Sequence, residues 1–545
     1  MMGADDRVVA SRLRGTVRWS PAGLAGLLLV AASAASVIPG SDLLHRFAEA
    51  QTAADKPAAP PSHERLQLLA GVAEVDITPP NDYPISGYYH ERLASGTIDP
   101  LKARALVLRT MANESIKPEP PETAVAIVCC DLTGIATDLV VEVRRRVAHQ
   151  VGIPETQIIL TGSHSHTAPD YFKDLYQYLE KPAGQRDEMR YAGHLIDRLT
   201  RAILTAKHVT QPVELRVGAV RQETPVSFNR RFVMRDGSQR TWMSYENPEV
   251  VRAAGPIDPM IQLVSIHDQQ TQKPLAVLSN FALHLDTVGG RQWSADYPAF
   301  IEKAVREKLG EGVVSLFGLG CCGDINHVNP ASKKRNTTAE IGQALGQTVQ
   351  QALPDLVPLA APRGTLAGLR VASERVRTRF IPVTDEQLAA ARPLLIEARS
   401  GKAVDFFAQV AGYKQLMIDQ LRHRRNPSEA AQLVGWGLSH SLSGVGDELP
   451  VEVTVVAVGN DLAFVFLPGE VFVELGLAIK QASPFRHTVV IELSNACETL
   501  YLPTRAAFAG GGYEVTNSAT QPGTGELLVE TAVRLLGQCA REKSP

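Results

Sequence analysis

The sequence predicts an α/β protein of mixed β-sheets covered by helices, and three observations carry that prediction. Apolar runs of strand length alternate with stretches whose apolar residues recur at helical spacing. The first strand-like run stops at Pro79-Pro80, a turn signal. The chain closes on an amphipathic pattern over 525–541 that reads as a helix packed on the body. With 545 residues, 44% of them hydrophobic and 21% charged, the chain has a soluble protein's balance and enough length for a large core.

Taken in order, the first segment is a leader. Arg12, Arg14 and Arg18 precede an apolar run over 22–35 that ends in small residues, Ala32-Ser33-Ala34. That is the pattern of a secretory signal, and an N-terminal anchor over 1–40 is the alternative. Either reading exports the body, to a periplasm or outside the cell. Residues 41–65, rich in Ala, Pro and Gln, read as a flexible linker, and the folded body spans 66–545. Strands are expected at 71–78, 103–110, 123–131 and 157–161, with a helix at 139–150. Alternation continues through 264–285 and 313–318. Two stretches, 339–353 and 385–421, look wholly helical, the second inside a helical insertion at about 385–435 that reads as surface rather than site. Strands return at 451–458, 462–467 and 488–493.

Charge narrows the function. Lys plus Arg number 55 and Asp plus Glu 58, a net charge of −3 with no long basic run, which argues against nucleic acid as a partner. Six cysteines in this length are not a disulfide scaffold. The adjacent pairs Cys129-Cys130 and Cys321-Cys322 read as buried thiols.

Four places hold side chains suited to chemistry. Gly162-Ser163-His164-Ser165-His166-Thr167 follows the strand 157–161, and two histidines at i and i+2 on extended backbone face the same side. At a strand end they form a plausible zinc half-site, or simply two polar loop residues. Asn280 to His284 is a second strand ending in a histidine, followed by Ser294-Ala295-Asp296-Tyr297-Pro298. Phe466-Leu467-Pro468-Gly469-Glu470 turns and presents a carboxylate, which equally suits the first turn of a helix. Tyr501 and the run Gly510-Gly511-Gly512-Tyr513-Glu514 make the fourth; tyrosines near loops usually pack.

In this order and context the motifs resemble those of the neutral/alkaline non-lysosomal ceramidases, from Gly71 to about Leu536. Gly71 to Pro79, Gly87-Tyr88 and the stretch 101–105 are similar to the family's start. Ser163 to Thr167 is similar to its Thr-His-Thr-His-Ser signature, and Pro468-Gly469-Glu470 falls in the family's order. The resemblance implies a single large catalytic domain that hydrolyses an N-acyl amide of a lipid-like substrate with Zn²⁺. It implies His164, His284, Glu470 and Tyr501 as zinc ligands, His166 as acid/base, and Arg230 and Tyr513 as further active-site residues. Arg231, adjacent, is an alternative to Arg230. Asp296 and Asp324 would orient imidazoles, or cap loops. A lipid substrate leaves open an association with a membrane surface; oligomeric state is not legible.

Two departures stand out. The family's Gly-(Asn/Asp)-x-Ser-Pro-Asn motif appears as Gly323-Asp324-Ile325-Asn326-His327-Val328, so Asn326 replaces the serine proposed elsewhere as a nucleophile. An amide cannot serve in that role, whereas a metal-activated water can. About 30 residues follow Tyr513, so the family's C-terminal immunoglobulin-like domain is expected to be missing. Asn326 keeps two alternatives in view: a zinc hydrolase of another N-acyl or ester substrate, and a non-catalytic lipid- or glycan-binding relative.

Overall fold

The computed structural model describes residues 64–65, 68–110, 123–332, 335–361, 368–424 and 431–541. The leader expected over 1–40 and the linker up to residue 63 lie outside these. Glu64–Arg65, placed in the linker from sequence, is a short strand paired with Ala360–Ala361.

Buried, β-branched runs build two sheets. The larger contains β1 (Leu68–Asp76), β2 (Lys102–Thr110), β3 (Ala124–Cys130), β4 (Ile158–Gly162), β5 (Gln211–Arg221), β6 (Met260–Asp268), β7 (Pro274–Phe281) and β8 (Val314–Leu319). Their spatial order is β8-β7-β6-β5-β1-β2-β3-β4, with Val357–Pro358 paired beside β5. The middle of this sheet is antiparallel, and each edge ends in a parallel pair, β3 with β4 and β7 with β8. Parallel neighbours need a crossover, and helices α1 (Thr137–Val151) and, later in the chain, α3 (Pro298–Leu309) supply it. Between them comes α2 (Tyr191–His208), and α4 (Thr338–Ala352) follows, opened by a capping box of Thr337 and Glu340.

The smaller sheet runs β9 (Leu369–Arg379), β10 (Glu448–Val458), β11 (Leu462–Phe466) and β12 (His487–Ile491) in sequence order. Only β11 and β12 are parallel, joined by a crossover through α7 (Val473–Ala482), which follows α5 (Asp385–Arg399) and α6 (Phe406–His423) in the chain. The last helix is α8 (Thr524–Arg541).

Strand alternation assigns each side chain to a layer. In β3, Val125, Ile127 and Cys129 join a core shared with Val456, Phe464, Phe466 and Ile491 of the smaller sheet. Their neighbours Ala126, Val128 and Cys130 pack against α1 and α2. The far face of the smaller sheet, with Val453, Val455 and Val465, is covered by α5, α6, α7 and α8. The result is helix, sheet, sheet, helix. This is the mixed α/β architecture the sequence predicts, in one compact unit from Ser62 to Pro545.

The helical stretch read as a surface insertion is part of that architecture. Leu388, Ala391 and Leu395 of α5 and Leu416, Met417, Ile418 and Leu421 of α6 are buried in the same core as the smaller sheet. Their apolar residues were diluted by Gln, Arg and Lys on the outer faces, which hid the stripe. All six cysteines are free and buried, the two adjacent pairs as expected, and burial pushes the Cys129 thiol up to about 12. Among the described residues, no helix is long and apolar enough to cross a membrane.

Candidate metal centre

Three parallel strand pairs end on the same region. His164 follows β4, His284 follows β7, Cys322 follows β8 and Glu470 follows β11. An isolated bridge between Thr161 and Ser494 ties the two sheets together here. Carboxyl ends of parallel strands are where α/β folds place sites, since loops there diverge and leave backbone groups unpaired.

His164 does not lie on extended backbone as the i, i+2 reading supposed. Its φ is 72°, in the left-handed region, which costs a non-glycine residue about 1–3 kcal/mol. The turn that results, rather than a pleat, aims both rings of the pair inward. His164 and His166 meet edge to face with centroids 4.9 Å apart, and His164 and His284 at 4.7 Å. Gly87, at φ 99°, lies under His166; a Cβ there would come within 2.7 Å of the His166 Cα, so only glycine fits. Gly469, at φ 63°, makes the turn into Glu470 against Thr499 and Leu500.

Hydrogen bonds fix which nitrogens face the centre. His164 Nδ1 donates to the Thr133 carbonyl at 2.6 Å, and His284 Nδ1 to the Cys322 carbonyl at 2.9 Å. Each ring therefore turns Nε2 to the centre, with a lone pair there in its neutral form. Burial lowers His164, but the Glu470 charge prevails and raises it. Both Nε2 atoms point at Glu470 Oε2, 3.3 Å from each. His166 Nε2 lies 3.3 Å from His164 Nε2. His284 Nε2 and Glu470 Oε2 are buried without a hydrogen-bond partner. Lone pairs converging on a sealed point repel unless a cation lies between them, and the side chains of His164, His166 and His284 could hold a metal ion. The donor set fits a divalent ion.

Electrostatics are tuned by burial. Desolvation pushes His166 well below the usual imidazole value, with the His164 charge adding to it, so the ring is neutral. Burial and Arg230 lower His284 too. Burial would raise Glu470, but His164 and His284 prevail and hold it well below the ordinary carboxylate range.

Tyr501 pairs with Glu470 in a short parallel bridge, and burial and the Glu470 charge push its phenol up. Its hydroxyl accepts from Arg230 Nη2 at 3.0 Å. Of the two adjacent arginines Arg230 is the one that reaches Tyr501; Arg231 is directed to Glu514, Gln239 and Gly511. Tyr513 lies edge-on to Tyr501 at 5.5 Å, stacks on Phe406 at 5.8 Å and meets Trp242 at a tilt at 4.8 Å. All seven side chains singled out from sequence thus lie together.

Asp296 and Asp324 orient no imidazole. Asp296 accepts from the backbone of Thr287, Val288 and Tyr297, and Asp324 from Val473 N–H, at the start of α7, and from Asn229. The capping reading of both is correct; backbone carbonyls set the tautomers. Sequence reasoning missed four contributors, Trp242 beside Tyr513 among them. Glu514 bridges Arg230 and Arg231, Trp436 lies edge-on to His164 at 6.3 Å, and Phe406 walls Tyr513. Only Glu514, beside Tyr513 in the glycine-rich run, left a trace in the sequence.

The fold and this cluster together define a class: a mixed-sheet α/β body with a buried histidine cluster able to hold a metal ion. Two solved structures of the same fold are ceramidases. The chain resembles the crystal structure of neutral ceramidase from Pseudomonas aeruginosa with a TM-score of 0.61 at 20% identity, covering 88% of this chain and 76% of that one. It resembles a ceramidase complexed with C2 with a TM-score of 0.61 at 18% identity, covering 86% and 75%. No protein-family model matches the chain, and no curated protein matches it. At these identities the likeness establishes the fold.

Proposed function

We propose that this protein is a zinc-dependent amidohydrolase that cleaves the N-acyl amide bond of ceramide-like lipids with an activated water. One observation carries the reading: His164 Nε2, His284 Nε2 and Glu470 Oε2 converge, buried, with both Nδ1 atoms committed to backbone carbonyls and with His284 Nε2 and Glu470 Oε2 lacking a hydrogen-bond partner. Two neutral imidazoles, a carboxylate and the Tyr501 phenol form an N/O set suited to zinc, with room for a reacting oxygen. A bound zinc ion supplies positive charge that acidifies water and polarises an amide carbonyl.

The chain's own residues do the rest. The neutral His166 ring accepts the proton that water releases as it adds to the carbonyl carbon. Arg230 holds Tyr501 through Nη2 and is fixed by Glu514 and the Gly323 carbonyl, which leaves Nη1 to meet the developing oxyanion beside the Tyr513 hydroxyl. Trp242 and Phe406, both partly exposed, extend an apolar wall from Tyr513 towards solvent, as a lipid chain requires. The solved ceramidases of the same fold support this substrate class.

A second reading keeps the metal and changes the substrate to another N-acyl amide or an ester. Asn326 favours it, since a carboxamide stands where the family motif has a serine. Turnover of labelled ceramide, a short N-acyl amide and an ester by the purified protein, with and without chelator, separates the two. The proposal predicts chelator-sensitive release of fatty acid from ceramide. Chelator-resistant turnover, or none on any amide, overturns it.

A further inference from the structure

A second histidine–carboxylate pair flanks the cluster. The loop that carries it is anchored at both ends to the site. At its start, Gly323 N–H donates to the Val471 carbonyl at 2.9 Å, and its own carbonyl accepts from Arg230 Nη2 at 2.8 Å. Ile325 and Asn326 then pair in antiparallel register with Asn229 and Phe228. At the end of the loop His327 Nδ1 lies 3.0 Å from Asp286 Oδ1, with the imidazole only 8% exposed.

Asp286 comes two residues after His284, and the Leu285 carbonyl between them accepts from His166 N–H at 2.9 Å. The pair therefore borders the segment that holds two of the clustered rings. With Nδ1 committed to Asp286, Nε2 is the atom of His327 left to meet a substrate.

Amide hydrolysis needs two proton transfers, one from the water and one to the departing nitrogen. His166 suits the first. Its Nε2 lies 3.3 Å from His164 Nε2, inside the cluster, and its Nδ1 is sealed without a partner.

We propose that His327, oriented by Asp286, is the catalytic residue that protonates the leaving nitrogen. This rests on the amidohydrolase reading and adds a residue to it. As the C–N bond of the tetrahedral intermediate breaks, its electron pair stays on nitrogen, which takes the proton from Nε2 of the His327 imidazolium. The carbonyl re-forms, leaving a carboxylic acid and an amine. His327 regains a proton that came from the added water, so one water is consumed and no net proton is gained. The Asp286 carboxylate stabilises the imidazolium, as a buried carboxylate does beside a working histidine.

The test compares two leaving groups on one acyl chain. An N-acyl alkylamide cannot lose its amine unprotonated; a p-nitrophenyl ester loses a stable phenolate without help. In metal-loaded protein, His327→Gln is expected to lower kcat/KM for the amide by about 100-fold or more and for the ester by less than about tenfold. Asp286→Asn is expected to show the same preference with a smaller loss, and it carries the comparison if His327→Gln does not fold. Metal content and thermal midpoint confirm that each variant is intact. Equal losses on both substrates, or undiminished amide turnover, overturn the role of His327 alone. If native protein cleaves neither substrate in a metal-dependent way, the amidohydrolase reading falls and this inference falls with it.

Discussion

Glu514 Oε1 accepts from Arg230 Nε at 2.8 Å, and both side chains are shut off from solvent. Its other oxygen accepts from Arg231 Nη1 and from the Thr241 hydroxyl, each at 2.8 Å. One carboxylate thus balances two buried guanidinium groups and aims one of them at Tyr501. Removing the charge leaves two uncompensated cations, a change that costs about 3–5 kcal/mol when a buried pair is broken. Glu514→Gln should therefore lower the denaturation free energy by that order and lower kcat more than tenfold while metal content holds. A variant with native kcat would show that Arg230 needs no such anchor.

The convergent donors make metal retention separable from turnover. His284→Ala removes one of two imidazoles whose Nε2 faces Glu470, and it should strip bound metal by at least about 100-fold in affinity. His166→Ala should keep metal and lose turnover, because the ring's neutral Nε2 is assigned to proton transfer. Elemental analysis of the dialysed variants reads both. Full activity in a metal-free His284→Ala protein would end the zinc proposal; metal loss in His166→Ala would make that ring a ligand.

Phe406 opens α6 and stacks on Tyr513, with ring planes 18° apart. An aromatic contact of this kind is worth about 0.5–1.5 kcal/mol beyond its buried area. Phe406→Ala should raise KM for long-chain substrates by about two- to tenfold and leave short-chain substrates nearly unchanged. A KM that does not depend on chain length in the variant would place the lipid chain elsewhere.

How much of this was legible follows from what sets each feature. Strands such as β3 and β11 are buried on both faces, so unbroken apolar runs announced them. The β9 strand carries Arg375, Arg377 and Arg379 on an exposed edge, and its pattern did not. His164, His284 and Glu470 each end a strand, a signal that by itself equally suits a loop residue or the start of a helix, and the resemblance is what singled them out as ligands. The partners that set the imidazole tautomers are backbone carbonyls of Thr133 and Cys322, which no residue type signals. Phe406 and Trp436 lie far from Tyr513 and His164 in sequence; only the packing of α5 and α6 on the smaller sheet brings them in. The i, i+2 argument supposed a pleat at His164 and His166, where a left-handed turn at His164 brings the two rings together instead.

Helix α1 begins without a side-chain cap from its own neighbour Ala136. Glu498 supplies one from across the fold, accepting from Thr137 N–H and the Thr137 hydroxyl, both at 2.8 Å. Burial nevertheless pushes its carboxyl up to about 7, against about 4.3 in an unfolded chain. Between those values the native state holds a proton that the unfolded state has released. Stability from this group is therefore full below about pH 4.3, falls as pH rises, and is lost above about 7. The whole swing amounts to roughly 4 kcal/mol. Asp296 and Asp324, each pushed up to about 6 by burial, tilt the curve the same way and remain in a Glu498→Gln protein. Urea unfolding of both proteins at pH 5, 6.5 and 8 isolates the one group as the difference between their slopes. Wild type should lose about 2–3 kcal/mol more than the variant across that range. Parallel curves would mean that Glu498 is already ionised at pH 5 and that the cap is a charged one.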